Sequence, residues 1–196
     1  MCIRDRYISN TDRGTNLDNG LFRIQTSEHV LAALTGLDID NVYISLDGPE
    51  VPIMDGSSKF FIEAIEGAKI IEQNALREEF FPSEKISYKC EETGSILSII
   101  PDETYKIETK IDFNTEVLGT QSAYIDNINK FKNEISAART FSFLHELESL
   151  LENGLIKGGD LNNAIVYVDK PLANSCLLYT SPSPRDPIGS RMPSSA

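Results

Sequence analysis

"LFRIQTSEHVLAALTG", residues Leu21–Gly36, changes its apolar period partway along, and that change sets the fold class. From Leu21 to Gln25 apolar and polar residues alternate, the pattern of a half-buried strand. From Val30 the apolar positions fall at Val30, Leu31 and Leu34, the spacing of one helical face. Thr26 or Ser27 is placed to cap that helix and Gly36 to end it. At its mouth stand Glu28 and His29, two polar groups beside an apolar run.

Working outward, "NVYISLDG" (Asn41–Gly48) predicts another strand, and "PEVPIMDGSS" (Pro49–Ser58) a loop punctuated by Pro and Gly. A second amphipathic helix is expected from Ser58, with Phe60, Phe61, Ala64 and Ile65 as its apolar side. Charge and a proline in "LREEFFPSEK" (Leu76–Lys85) suggest a domain boundary. Beyond it "KISYKC", "SILSIIP" and "YKIETKIDF" alternate as antiparallel strands with one wet face do. The period turns helical in "INKFKNEISAA" (Ile128–Ala138) and "FLHELESLLENG" (Phe143–Gly154), and "NAIVYV" (Asn163–Val168) reads as a buried strand. Strands then helices, twice over, predict an α+β chain of two domains, residues 7–80 and 81–174. Each is expected to be a two-layer sandwich of a mostly antiparallel sheet and helices, with the first cut at its N-terminus and the second incomplete.

The two ends do not read as protein. "MCIRDR" (Met1–Arg6) and "CLLYT" (Cys176–Thr180) back-translate to near reverse complements, a pattern that resembles a sequencing adapter translated at both ends of a read. Residues 1–6 and 175–196 are therefore set aside as adapter-like. Without them Lys+Arg falls from 18 to 14 and Asp+Glu from 30 to 28, a net charge of −14. Such an acidic segment has no electrostatic footprint for phosphate backbones, which argues against nucleic acid as a partner. Of the three cysteines only Cys90 remains, so no internal disulfide is expected, in keeping with a cytoplasmic location. No apolar run approaches the roughly 20 residues that span a bilayer. Oligomeric state is not legible.

The Glu28–His29 pair has two readings. In one, Glu28 merely favours the positive end of the helix dipole and His29 is a satisfied surface residue. In the other, His29 ligates a metal whose bound water has its pKa brought to about 7, and Glu28 takes that water's proton.

A longer comparison favours the second. "TSEHVLAALTGLDIDNVYISLDGPEVPIMDGS" (Thr26–Ser57) closely resembles a stretch of the UDP-3-O-acyl-N-acetylglucosamine deacetylases, zinc hydrolases of lipid A biosynthesis. "ISAARTFSFLHELESLLENGLIKGGDLNNAIVYVD" (Ile135–Asp169) and "IDFN" (Ile111–Asn114) resemble later segments of the same family, in the same order. The resemblance implies that Glu28 is the general base, His29 a zinc ligand, Thr140 a hydroxyl donor to the oxyanion, and Phe141 a wall of the sugar pocket; from spacing alone Thr140 reads as a cap or turn residue and Phe141 as core. It implies that Asp55, Gly56 and Ser57 form a structural turn, and that zinc and a UDP-3-O-acyl-N-acetylglucosamine substrate meet between the two domains. Some family members are fused to a 3-hydroxyacyl-[acyl carrier protein] dehydratase.

The departures are local. Ser27 stands where the family usually has Val, and Asp160 and Asn162 where it has Ser and Asp. The family's other two zinc ligands and a further catalytic His lie downstream of this chain, whose only other histidine is His145. His145 with Glu148 suits a solvated helical pair better than a metal. A catalytic zinc takes about three protein ligands, so the chain alone is expected neither to hold zinc tightly nor to turn over substrate. The rival expectation is a non-catalytic α+β binding module in which Glu28 and His29 only begin a helix.

Overall fold

A computed structural model describes residues 8–11, 14–152 and 162–168. Three short antiparallel strands open it: β1 (Ile8–Asn10), β2 (Asn16–Asp18) and β3 (Arg23–Ile24), in that spatial order. Helix α1 (Glu28–Gly36) follows, burying Val30, Ala33 and Leu34. Helix α2 (Lys59–Gly67) packs beside it, and Val30, Leu34 and Val51 form a core that Ile24, Leu31, Phe61 and Ile65 cover. The fold class is α+β, as the change of period predicts.

Neither expected cap forms. Ser27 has helical φ and ψ and makes no side-chain cap; its hydroxyl donates instead to Thr15 O at 2.9 Å. Thr26 takes a φ of +58° and donates to Glu50 Oε1. Gly36 does not stop α1 through a left-handed turn. It is the buried last residue of the helix, and a Cβ there would collide with the ring of Phe131, so close approach is what requires glycine.

Two expectations about the first half are corrected. Residues 41–46 form no strand, and Val42, Tyr43 and Ile44 are exposed. An alternating pattern is only a propensity until a neighbouring strand supplies the ladder; here Gln25 bridges to Glu50 instead, on the far side of the segment. In α2 the buried residue is Ile62, 2% exposed, while Phe60 is exposed. The helix is rotated by one position relative to the expected apolar side, with Phe61 and Ile65 still against the core. Burying a side chain of this size stabilises by roughly 1.5–3 kcal/mol.

The second half holds the three expected strands: β4 (Ile86–Lys89), β5 (Ile96–Ile99) and β6 (Ile107–Asp112). β4 and β5 form an antiparallel pair, and β6 pairs antiparallel with β7 (Thr120–Ile125), a strand too polar to stand out in the sequence. In the β4–β5 pair both faces are exposed among the described residues. A 3₁₀ turn at Ile128–Lys130 runs into α3 (Phe131–Glu134), shorter than the helical pattern suggests because Ile135 and Ser136 close it with N–H bonds to Phe131 O.

β8 (Phe141–Phe143) precedes α4 (Leu144–Glu152) and pairs in parallel with β9 (Ile165–Tyr167). Ile165 and Tyr167 are buried, as expected of that strand, and with Leu118 and Phe143 they make the second core. Phe141 and Phe143, two apart on a strand, share its face. Glu146 accepts from the Phe143 N–H at 3.3 Å and so caps the start of α4.

Candidate functional site

Glu28 is the first residue of α1, where an acidic side chain meets the positive end of the helix. It is half-buried, and its Oε2 accepts from the Thr15 N–H at 2.8 Å. His29 is half-buried beside it, and its backbone oxygen accepts from the Ser58 hydroxyl at 3.0 Å. The imidazole is therefore carried by a helix turn tied directly to the 55–58 loop.

That loop is built from its own side chains. Asp55 Oδ1 accepts from the Ser57 N–H at 3.1 Å and the Ser57 hydroxyl at 2.7 Å, while Ser57 Oγ accepts from the Lys59 N–H at 3.2 Å. Ser57 is fully buried. Gly56 sits at φ +84°, a conformation L side chains rarely adopt, and a Cβ there would strike Asn163 O and reach 3.0 Å from Thr140 Cγ2.

Thr140 meets the loop through its backbone, donating its N–H to Gly56 O at 2.7 Å, and its own carbonyl accepts from Ile165 N at 3.0 Å. Ser58 N donates to Ser136 O at 3.0 Å. Arg139, which the sequence reading passed over, donates its Nε to Asp55 O at 2.6 Å and its guanidinium to Asn162 O. It clamps the loop to the turn before β9. Its place immediately before Thr140 in the "RTF" run was the only signal of it. Thr15 gave no signal at all, because a backbone amide carries no residue signature.

The structure thus links the segments that bear Glu28, His29 and Thr140 through one four-residue loop. The half-buried ring of Phe141 packs edge-to-face with Phe113 at 5.3 Å, Tyr167 at 5.5 Å and Phe143 at 5.9 Å, against the second core, as its spacing alone suggests. His145 is exposed and stacks on Phe143 at 5.5 Å. Asp160 and the side chain of Glu148 lie outside the described residues, as do both adapter-like flanks.

Among the described residues no group of three His, Cys, Asp or Glu side chains could hold a metal ion. With about three protein ligands needed, the donors described do not make up a whole zinc centre. Among the same residues no helix is long and apolar enough to cross a membrane.

The fold and these residues define the class: an α+β chain whose carboxylate, imidazole and hydroxyl ride on segments joined through a glycine turn. The chain belongs to the family described as UDP-3-O-acyl N-acetylglycosamine deacetylase, whose family model matches residues 2–181. It is 39% identical over 166 residues to a bifunctional enzyme LpxC/FabZ of Bacteroides thetaiotaomicron, covering 85% of this chain and 36% of that protein. It is 40% identical over 179 residues to a UDP-3-O-acyl-N-acetylglucosamine deacetylase of Acidithiobacillus ferrooxidans, covering 89% of this chain and 58% of that protein. A deacetylase of the same name from Myxococcus xanthus is 40% identical over 169 residues, covering 86% and 53%. The chain thus spans between about a third and three fifths of the length of these relatives.

Proposed function

We propose that this chain is part of a zinc-dependent deacetylase that removes the N-acetyl group of UDP-3-O-acyl-N-acetylglucosamine in lipid A biosynthesis, in the cytoplasm. Glu28 is the general base, His29 one metal ligand, Thr140 the oxyanion donor and Phe141 part of the sugar-binding wall. Asp55, Gly56 and Ser57 hold the turn between them. Residues 7–80 and 81–174 are the two domains, and residues 1–6 and 175–196 are foreign to the gene. The remaining zinc ligands lie outside this chain, which is inactive by itself.

The observation that carries this reading is the hydrogen-bonded path from the His29 carbonyl through Ser58 and Gly56 to the Thr140 N–H. It ties the helix turn that bears the carboxylate and imidazole to the backbone of the residue that bears the hydroxyl, more than a hundred residues away. Zinc, where a complete ligand set holds it, acidifies water. The chain's own residues do the rest. Glu28 accepts the proton of the attacking water as its oxygen bonds to the acetamide carbon. Thr140 donates its O–H to the oxygen where negative charge develops, which stabilises the transition state more than the ground state. Passing the water's proton on to the acetamide nitrogen lets the C–N bond break, which releases acetate and the free amine.

The test is acetate release by the intact protein, recovered by reading the source gene through the codon for Asn174. Glu28→Gln is expected to keep metal and lose about two to four orders of magnitude in rate, the usual worth of a general base. An intact protein that binds no stoichiometric metal and releases no acetate would instead establish the binding-module reading, and a Glu28→Gln protein of normal rate would remove the base assignment.

A further inference from the structure

The carboxylate assigned as base is held by a segment that no motif singles out. Thr15 uses both sides of its peptide on the mouth of α1: its N–H donates to Glu28 Oε2 at 2.8 Å, and its carbonyl accepts from Ser27 N at 3.2 Å and Ser27 Oγ at 2.9 Å. Ser27 is 3% exposed, so its hydroxyl has little access to water as a competing partner. Gly14 lies directly under the carboxylate. The three atoms nearest to a Cβ built there are Glu28 Oε1 at 3.3 Å, Oε2 at 3.7 Å and Cδ at 3.9 Å.

From this geometry we infer that the Gly14–Thr15 turn is the positioning element of the Glu28 carboxylate and that Ser27 locks it in place. The inference rests on the reading of Glu28 as general base. A free glutamate side chain samples several rotamers, whereas an N–H donor to one carboxylate oxygen fixes its direction. Spending that bond on Oε2 leaves Oε1 without a hydrogen-bond partner among the described residues, as an oxygen that must take a proton requires. Glycine at position 14 leaves room for that oxygen. Its φ is outside the left-handed region, so alanine fits the backbone and perturbs the carboxylate selectively.

The experiment is a double-mutant cycle in the intact protein, reading kcat and KM for acetate release alongside the urea midpoint. Gly14→Ala is expected to lower kcat about fivefold with KM and midpoint unchanged, since moving a reacting group by tenths of an ångström costs a fraction of the hundredfold that 1 Å can cost. In a Glu28→Gln background the same substitution should cost nothing further, because the group it displaces no longer acts. Ser27→Ala, which deletes only the locking hydroxyl, should show a smaller loss of kcat that also vanishes in that background, and it decides the matter if Gly14→Ala fails to fold. An equal loss in both backgrounds, or no loss of kcat in either single variant, overturns the positioning role while leaving the base assignment standing. A Glu28→Gln protein of normal rate removes the base assignment itself, and the positioning role with it.

Discussion

Replacing Gly36 by alanine puts two calculable effects in opposition. Inside a helix, alanine is favoured over glycine by about 0.8–1 kcal/mol, so propensity alone predicts stabilisation. The structure predicts the reverse. A Cβ at position 36 would overlap Phe131 Cδ1 and come within 2.8 Å of Cγ and 3.0 Å of Cε1. Because Cγ is the root of the ring, rotation about χ2 cannot relieve the contact; either χ1 leaves its rotamer or α3 shifts away from α1. Overpacking of this kind costs about 1–3 kcal/mol. Net destabilisation of about 0–2 kcal/mol is expected, seen as a lower urea midpoint with an unchanged slope. With Phe131→Ala in place the obstacle is gone, and Gly36→Ala should then stabilise by about its propensity value of 1 kcal/mol. A Gly36→Ala protein that is more stable with Phe131 intact, or an equal effect in both backgrounds, would refute the claim that close approach is what demands glycine here.

Gly56→Ala should be more severe, with a loss of about 2–3 kcal/mol: a left-handed residue with a Cβ costs 1–2 kcal/mol, and displacing the loop endangers the Thr140 N–H bond, worth about 1 kcal/mol. Urea unfolding measures it, and a loss below 1 kcal/mol would contradict the collision with Asn163. Arg139→Met should free the loop from both Asp55 O and Asn162 O; faster amide exchange at Thr140 and Ser58 is the expected signature. The Thr93 side chain and backbone hydrogen bonds hold the Cys90 thiol below its ordinary pKa. A depressed pKa means that the thiolate persists to lower pH. Site-resolved alkylation of Cys90 should therefore rise at a lower pH than for a free thiol, and Thr93→Val should move that rise upward.

What the sequence determined by itself is the part governed by local chemistry. The switch of period at Thr26, the alternation in Ile86–Lys89, Ile96–Ile99 and Ile107–Asp112, and the apolar run at Ile165–Tyr167 each encode an element and its type. The run from Thr26 to Ser57 and the run around Thr140 also encode the family, since residue identities at fixed spacing survive without coordinates. Tertiary structure decided everything that depends on a partner distant in the chain. Asn41–Leu46 has a strand's pattern but, among the described residues, no neighbouring strand to pair with, while Thr120–Ile125 lacks the pattern and is a strand because β6 lies beside it. Ser27 has the chemistry of a cap, yet its hydroxyl goes to Thr15 O. The support of the site belongs to the same category. Thr15 and Gly56 act there through peptide groups, and Gly14 through the absence of a side chain, as Gly36 does against Phe131. Such contributions leave no pattern in a sequence because every peptide carries the same donor and acceptor, and only the fold determines what they face.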